Sequence, residues 1–137
     1  MNHATTPHAI PAISGAGIIW LKLSALYLVI GVAMGIAMGA SENFVLRPVH
    51  AHVNLLGWAT LALSGLIYCV FPQAGQSRLA QVHFWLLNLS LPVMMGALTM
   101  LMLGNKSVIP VLAMAEIVAA LAVLAFVVNI FRNLKAG

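Results

Sequence analysis

The sequence predicts an all-α, integral membrane protein built as an up-down bundle of four helices. Of the 137 residues, 63% are hydrophobic and only 6% are charged, and the mean hydropathy is +1.07. Soluble domains carry about 25% charged residues, so the polar side chains here are too few to cover a surface exposed to water. Lipid is therefore expected to be the main solvent of the folded chain.

Four apolar stretches are long enough to cross a membrane, which takes about 20 residues. They cover residues 17–40, 49–71, 79–103 and 107–131, and residues 1–16 precede them as an N-terminal tail. Short breaks rich in polar residues, proline and glycine separate the stretches. Because short links force neighbouring helices to run antiparallel, we predict one transmembrane domain over residues 17–137.

The first stretch carries a ridge of small residues. Gly31, Gly35 and Gly39 recur at every fourth position, which places them on one face of a helix. Such a ridge lets another helix approach closely and is typical of packed membrane helices. The spacing leaves open whether the ridge packs inside the bundle or against another copy of the chain.

The second stretch begins with a pair of histidines, His50 and His52. Ionisable side chains within a membrane span are rare and mark candidate functional sites. Two residues correspond to a rotation of about 200° on an α-helix, so the two imidazoles are expected to face nearly opposite sides. One regular helix cannot easily offer both to a single metal ion, but it can offer each to a different neighbour.

Both faces of this helix are candidate cofactor sites. The row of His50 continues through Asn54 and Gly57, and the glycine would leave room for a flat cofactor beside its ligand. The row of His52 is apolar, which suits the edge of a porphyrin. The sequence does not choose between them. Arg47 could pair with haem propionates or with lipid phosphate.

The third and fourth stretches carry two further ionisable groups. His83 lies beside Trp85 near the start of the third stretch, and we assign both to an interfacial belt. A rise of about 1.5 Å per residue places His83 roughly 25 Å from His52, which excludes both as ligands of one haem. Glu116 lies deep in the fourth stretch, and is either neutral and hydrogen-bonded, with Asn88 as a candidate partner, or part of a proton path.

Methionines offer an alternative chemistry near the histidine pair. Thioethers bind Cu(I) and also serve as axial haem ligands. Seven of the eight methionines are expected in the half of the bundle that holds His50 and His52: Met34, Met38, Met94, Met95, Met100, Met102 and Met114. A copper site is therefore an alternative to haem.

Charge distribution predicts the orientation and the partners. Arg78, Arg132 and Lys135 share a side with the termini, whereas Arg47 and Lys106 lie on the other side. The positive-inside rule then favours both termini in the cytoplasm, with the bacterial inner membrane as the expected location. A net charge of +4 on so apolar a chain indicates contact with anionic lipid headgroups and no nucleic-acid partner.

Residues 47–103 resemble catalytic subunit I of the haem-copper oxidase superfamily, which includes nitric oxide reductases. Residues 47–50 (R-P-V-H) resemble the R-P-x-H start of that subunit's second helix, whose histidine ligates low-spin haem. Residues 50–52 (H-A-H), 71–72 (F-P) and 82–86 (V-H-F-W-L) also resemble a run of two later helices, H-F-H, F-P and I-H-F-W-L. There the two histidines of H-x-H ligate the high-spin and the low-spin haem, one on each face.

The resemblance implies a homo-oligomeric protein that binds haem b, with His50 or His52 as axial ligand, for electron transfer or for binding nitric oxide or oxygen. The family's subunit has many more helices, and its H-x-x-x-Y and H-H motifs are absent from this sequence. Oxygen reduction by this chain alone is therefore not expected. A second copy would supply an opposing ligand, or the iron would stay five-coordinate.

Two other functions remain open. One is a copper-binding membrane protein that uses His50, His52 and the nearby methionines. The other is an accessory subunit of a larger respiratory complex that carries no cofactor. Metal content would distinguish the copper-binding protein from a haem protein. Co-purification of large partners with a colourless chain would favour the accessory subunit.

Overall fold

The computed structural model describes residues 15–134, and the regular structure in this range is helical, with no strand. Four long helices run over Gly15–Ser41 (α1), Arg47–Val70 (α2), Arg78–Met102 (α3) and Lys106–Asn133 (α4). Each is long and apolar enough to cross a membrane. The predicted all-α class is thereby confirmed for the described residues, as is the presence of four helices of membrane-spanning length.

The helix ends lie within two residues of the positions that hydropathy indicates. The N-terminal end differs in one respect, because Gly15 and Ala16 begin α1 and do not belong to a preceding tail. The rest of the predicted tail, residues 1–14, lies outside the described residues. A short helix, Pro72–Gly75, occupies the link between α2 and α3.

Local side-chain chemistry fixes the breaks between helices. Pro48 occupies the first turn of α2, where a missing N–H group costs no hydrogen bond. The Ser77 hydroxyl accepts a hydrogen bond from the Ala80 amide (3.0 Å) and caps α3. Between α3 and α4, Gly104 adopts a φ of +97°, a conformation that favours glycine, and Asn105 caps the turn that follows by accepting from the Ser107 amide (3.0 Å).

Helix α1 packs along α2, and α3 packs along α4. The core between these pairs is mostly apolar. Its fully buried aliphatic residues include Leu61 of α2, Leu87 and Leu91 of α3, and Ala122 of α4, and the polar side chains of Tyr68, His83 and Asn129 are buried with them. The large side chains on the outer surface are also apolar, as expected for helices that face lipid.

Small residues bring α1 into close contact with α2. A Cβ atom added at Gly17 would lie 2.6 Å from the carbonyl oxygen of Gly65 and 2.8 Å from the amide nitrogen of Cys69. One added at Gly31 would lie 2.5 Å from the side-chain oxygen of Asn54. The glycine ridge of α1 therefore packs against α2 at Gly31 and at Gly35, where an added Cβ would lie 3.2 Å from the His50 ring. At Gly39, the far end of the ridge, an added Cβ would meet no atom within 4 Å.

The middle of α2 is π-helical over Val53–Thr60, directly after His52. In a π-helical turn each backbone hydrogen bond joins residues about five apart in the sequence, one more than in an α-helix. Such turns are frequent at functional sites. The Thr60 hydroxyl follows the same spacing, donating to the carbonyl of Leu55 (2.8 Å). This segment rotates the later part of α2 relative to a regular helix, so faces read at 3.6 residues per turn do not continue through it.

Replacing Gly17 by Ala tests the close approach of α1 and α2. The added methyl group meets backbone atoms of α2, which cannot move aside as a side-chain end can. We expect the free energy of unfolding to fall by about 1–3 kcal/mol, measured by thermal unfolding in detergent with circular dichroism. Gly39→Ala is the matched control, since it lies on the same helix in open space. Equal effects of the two substitutions would contradict the close contact.

Candidate functional site

The two histidines of α2 lie on different sides of the helix, as their spacing predicts. His50 faces α1, where its Cε1 atom would lie 3.2 Å from a Cβ added at Gly35. His52 instead lines a groove whose other residues come from α2, α3 and α4. The two imidazoles therefore serve different surroundings, and one metal ion could not easily use both.

The side of α2 that carries His50 is closed by α1. The Asn54 amide donates to the carbonyl of His50 (2.8 Å) and packs against Gly31 of α1. Gly57 does not leave open space for a cofactor, because a Cβ added there would lie 2.6 Å from the Tyr27 ring. Tyr27 fills the room that the sequence suggested for a flat ligand.

The His52 ring is held in a defined orientation. Its Nδ1 atom lies 2.8 Å from the carbonyl oxygen of Pro48, one turn earlier in α2. A carbonyl can only accept, so Nδ1 carries the proton and donates. In a neutral imidazole the lone pair then resides on Nε2, which makes no hydrogen bond to any residue between 15 and 134. Histidine ligands of metals are usually fixed in this way, with the second ring nitrogen donating to a carbonyl or carboxylate.

We call the cavity beside this ring the His52 groove. It is an open depression of about 250 Å³ between α2 and α4, with α3 contributing to its wall. Apart from His52 and one carboxyl group, its lining is apolar. The lining residues are His52, Leu56, Met94, Glu116, Ala119, Ala120 and Val123.

Glu116 is the second polar group of the His52 groove. Its side chain is exposed on the surface of α4 and forms no hydrogen bond or ion pair within the described range. Asn88, a candidate partner from the sequence, donates instead to the carbonyl of Phe84 on its own helix (2.9 Å). An exposed carboxyl group within a long apolar helix is a candidate contact for a partner outside the described residues.

Arg47 lies at the first turn of α2 and points away from the core. Its side chain is exposed, and the guanidinium carbon sits 5.5 Å from the centre of the Phe44 ring. This placement leaves its hydrogen-bond donors available at the end of the bundle where His52 lies. The position is compatible with a phosphate or a carboxylate partner.

A second polar cluster is buried where α3 begins. His83 is fully buried, which makes its assignment to an interfacial belt wrong, whereas its neighbour Trp85 is 61% exposed. The His83 ring packs against Trp20 and Phe126, with centroid distances of 4.4 Å and 5.0 Å. Periodicity missed this burial because the aromatic partners come from α1 and α4, far away in the sequence.

Hydrogen bonds in this buried cluster have a clear direction. The Asn129 amide donates to the Tyr68 hydroxyl (3.3 Å) and to the Ala74 carbonyl (3.0 Å). The Tyr68 hydroxyl can then donate its own proton to Nδ1 of His83 (3.0 Å). Ser77 donates to the Asn129 oxygen (2.7 Å). The cluster thus joins α2, α3, α4 and the link, and its buried position suits a structural clamp.

The sequence marked several of these residues but did not group them. Glu116 stood out as an acid within a span, and Met94 belonged to a broad set of methionines. Their place beside His52 depends on how α3 and α4 are rotated about their axes, which composition does not specify. Among residues 15–134, no group of three or more His, Cys, Asp or Glu side chains is arranged to hold a metal ion.

Comparisons with protein-family models, with curated proteins and with solved structures found no match to this chain. The resemblance of residues 47–103 to oxidase subunit I therefore remains a prediction from short motifs. The geometry around His52 and Glu116 carries the functional argument that follows.

Replacing Asn129 by Leu tests the buried clamp. The substitution removes the amide that bonds Tyr68, Ala74 and Ser77, and it leaves the buried Tyr68 hydroxyl and Ala74 carbonyl without that partner. We expect the free energy of unfolding to fall by about 2–4 kcal/mol, measured by thermal unfolding in detergent. Asn88→Leu is the matched control, because Asn88 bonds only its own helix and should cost less than about 1 kcal/mol. Similar losses for both would contradict a role for Asn129 in joining the helices.

Proposed function

We propose that this chain is a haem-b-binding membrane protein, with His52 as an axial ligand, that serves electron transfer or the binding of a diatomic gas such as nitric oxide or oxygen. We further propose that it inserts as an up-down bundle in a bacterial inner membrane with both termini in the cytoplasm. The observation that carries the haem proposal is the lone pair of His52 Nε2, which the Pro48 hydrogen bond leaves free beside an apolar groove.

The outer surface supports insertion into lipid. Its exposed large side chains are apolar on all four helices, as in Val29, Leu55, Leu89 and Leu121. A water-soluble protein rarely exposes contiguous apolar surface of this extent. Arg78 and Arg132 lie at the end of the bundle where α3 begins and α4 ends, and this distribution favours cytoplasmic termini by the positive-inside rule.

The residues around His52 fit a haem on three counts. The imidazole is fixed in the tautomer that ligates through Nε2. Leu56, Ala119 and Val123 offer an apolar surface for the macrocycle. Arg47 is exposed at the same end of α2 and carries donors suited to propionate carboxylates. Haem bound there would supply a one-electron couple and an iron able to bind a small gas.

The chain's own residues would tune such a site in definable ways. The Pro48 carbonyl orients the His52 ring by accepting a hydrogen bond from its Nδ1–H group. Met94 is 2% exposed and, with Leu56, excludes water from beneath the groove. His50, packed against Gly35, would support the position of α2 and would not act as a ligand.

Purified in detergent from haem-replete cells, the protein is expected to show a Soret band that His52→Ala abolishes. Mutating a residue that merely hydrogen-bonds to a metal ligand typically weakens metal binding by about 10–100-fold. Removing the ligand itself should weaken haem binding by more than this. Absorption spectra of the oxidised and reduced protein measure this directly. Added imidazole should restore part of the band in His52→Ala by occupying the vacated position.

His50→Ala is the matched control on the same helix and should retain the band, because His50 faces α1. A colourless wild-type protein would contradict haem binding, and an unchanged spectrum in His52→Ala would contradict the ligand assignment. A colourless chain that co-purifies with large respiratory proteins would favour the accessory-subunit function.

One observation favours copper as a second candidate. His52, Met94 and Glu116 line the same groove and would offer nitrogen, sulfur and oxygen ligands. Imidazole and thioether groups suit copper, and Cu(I) in particular. This set differs from the pair of histidines that the sequence suggested, because His50 faces away from the groove.

Elemental analysis separates the two candidates, since copper without iron would decide for the second. In that case Met94→Leu should reduce the affinity for copper by roughly tenfold. This is the lower end of the range of about 10–100-fold by which mutations around a metal site usually weaken binding. Met95→Leu is the matched control, because Met95 does not line the groove. Equal copper retention in both variants would exclude Met94 as a ligand.

A further inference from the structure

We propose that a second copy of this chain covers the His52 groove, and that the two copies hold one haem between their His52 side chains. The inference rests on the proposed haem binding and names the partner that completes that site. It would make the haem bis-histidine ligated, with one haem for each pair of chains. Three features of the groove carry it.

The first feature is the exposed carboxyl of Glu116. Lipid chains offer it no hydrogen-bond partner, and an unsatisfied polar group in hydrocarbon is costly. Two carboxyl groups that meet can share one proton in a hydrogen bond between them. A second copy presents the same group and can complement it, whereas an apolar partner cannot.

The second feature is the geometry that symmetry imposes. A pair of identical membrane proteins in one orientation is related by a two-fold axis along the membrane normal, so equivalent residues meet at equal depth. His52 and Glu116 line one groove, so the His52 and Glu116 side chains of the second copy would lie at the same depth in the membrane and face this groove. The Nε2 atoms of the two His52 side chains could then approach one iron from opposite sides.

The third feature is that the groove contains a single imidazole. His52 is the one histidine between residues 15 and 134 that lines it, so a second imidazole ligand has to come from another copy of the chain. Small residues around Glu116 also let the second copy approach α4 closely. Ala113 and Ala120 flank it at the preceding and following turns of α4, and both are exposed.

The test combines haem content, spin state and oligomeric state of the wild-type protein in mild detergent. We expect a dimer with one haem per two chains and a low-spin ferric spectrum. A haem-containing monomer with one haem per chain would overturn the pairing while leaving the proposed function intact. A high-spin dimer with one haem per chain would likewise overturn the shared ligation. A colourless protein would overturn both proposals.

Two variants of Glu116 test the group that the second copy is proposed to cover. Glu116→Gln keeps a donor and an acceptor and should keep the dimer. Glu116→Leu removes both, suits a lipid-facing position, and should shift the protein toward monomer with at least a several-fold loss of low-spin haem. Equal dimer content in the two variants would contradict a role for this side chain in pairing.

A bulky substitution on the Glu116 face of α4 tests the pairing independently. Ala113→Trp adds a large side chain beside Glu116 without lining the groove, so it should separate the copies and convert low-spin haem to a high-spin or weakly bound form. Ala33→Trp places the same side chain at an exposed position of α1 and should change neither property. A low-spin dimer that persists in Ala113→Trp would show that the copies do not meet at this face.

Discussion

The close approach of α1 to α2 is the contact on which the candidate site depends. Glycine at positions 17 and 31 lets α1 lie against backbone and amide atoms of α2. This contact closes one side of α2 and places His50 against Gly35. The opposite side, with His52, is left open beside α4. This packing leaves His52 as the member of the histidine pair that lines an open groove.

Polar side chains within the four apolar helices lie in two different surroundings. Within the bundle, Asn129 donates to the Tyr68 hydroxyl and Tyr68 to Nδ1 of His83, which leaves the buried Nε2 atom of His83 without a partner among residues 15–134. Glu116 has no such partner among residues 15–134, although it lies in a span. The two sites differ in exposure: the cluster around Asn129 is buried and joins the helices through hydrogen bonds, whereas Glu116 lies on the surface of α4, where a second molecule can reach it.

Hydropathy and link composition were sufficient to place the four helices, because crossing a membrane requires a length and an apolarity that can be read directly. Rotation about each helix axis could not be read in this way. It depends on the glycine contacts of α1 and on the π-helical turn Val53–Thr60, which break simple periodicity. For this reason the opposed faces of His50 and His52 were predictable, whereas the grouping of Glu116 with His52 and the burial of His83 were not.

The most direct test of the central claim is nitrogen NMR of the histidine side chains during titration with haem. In the cofactor-free protein, His52 is expected to carry its proton on Nδ1, as the hydrogen bond to Pro48 requires. On addition of haem, its Nε2 resonance should be lost to the paramagnetic iron, while the resonances of His50 and His83 persist. Loss of the His50 resonance with His52 unchanged would contradict the account.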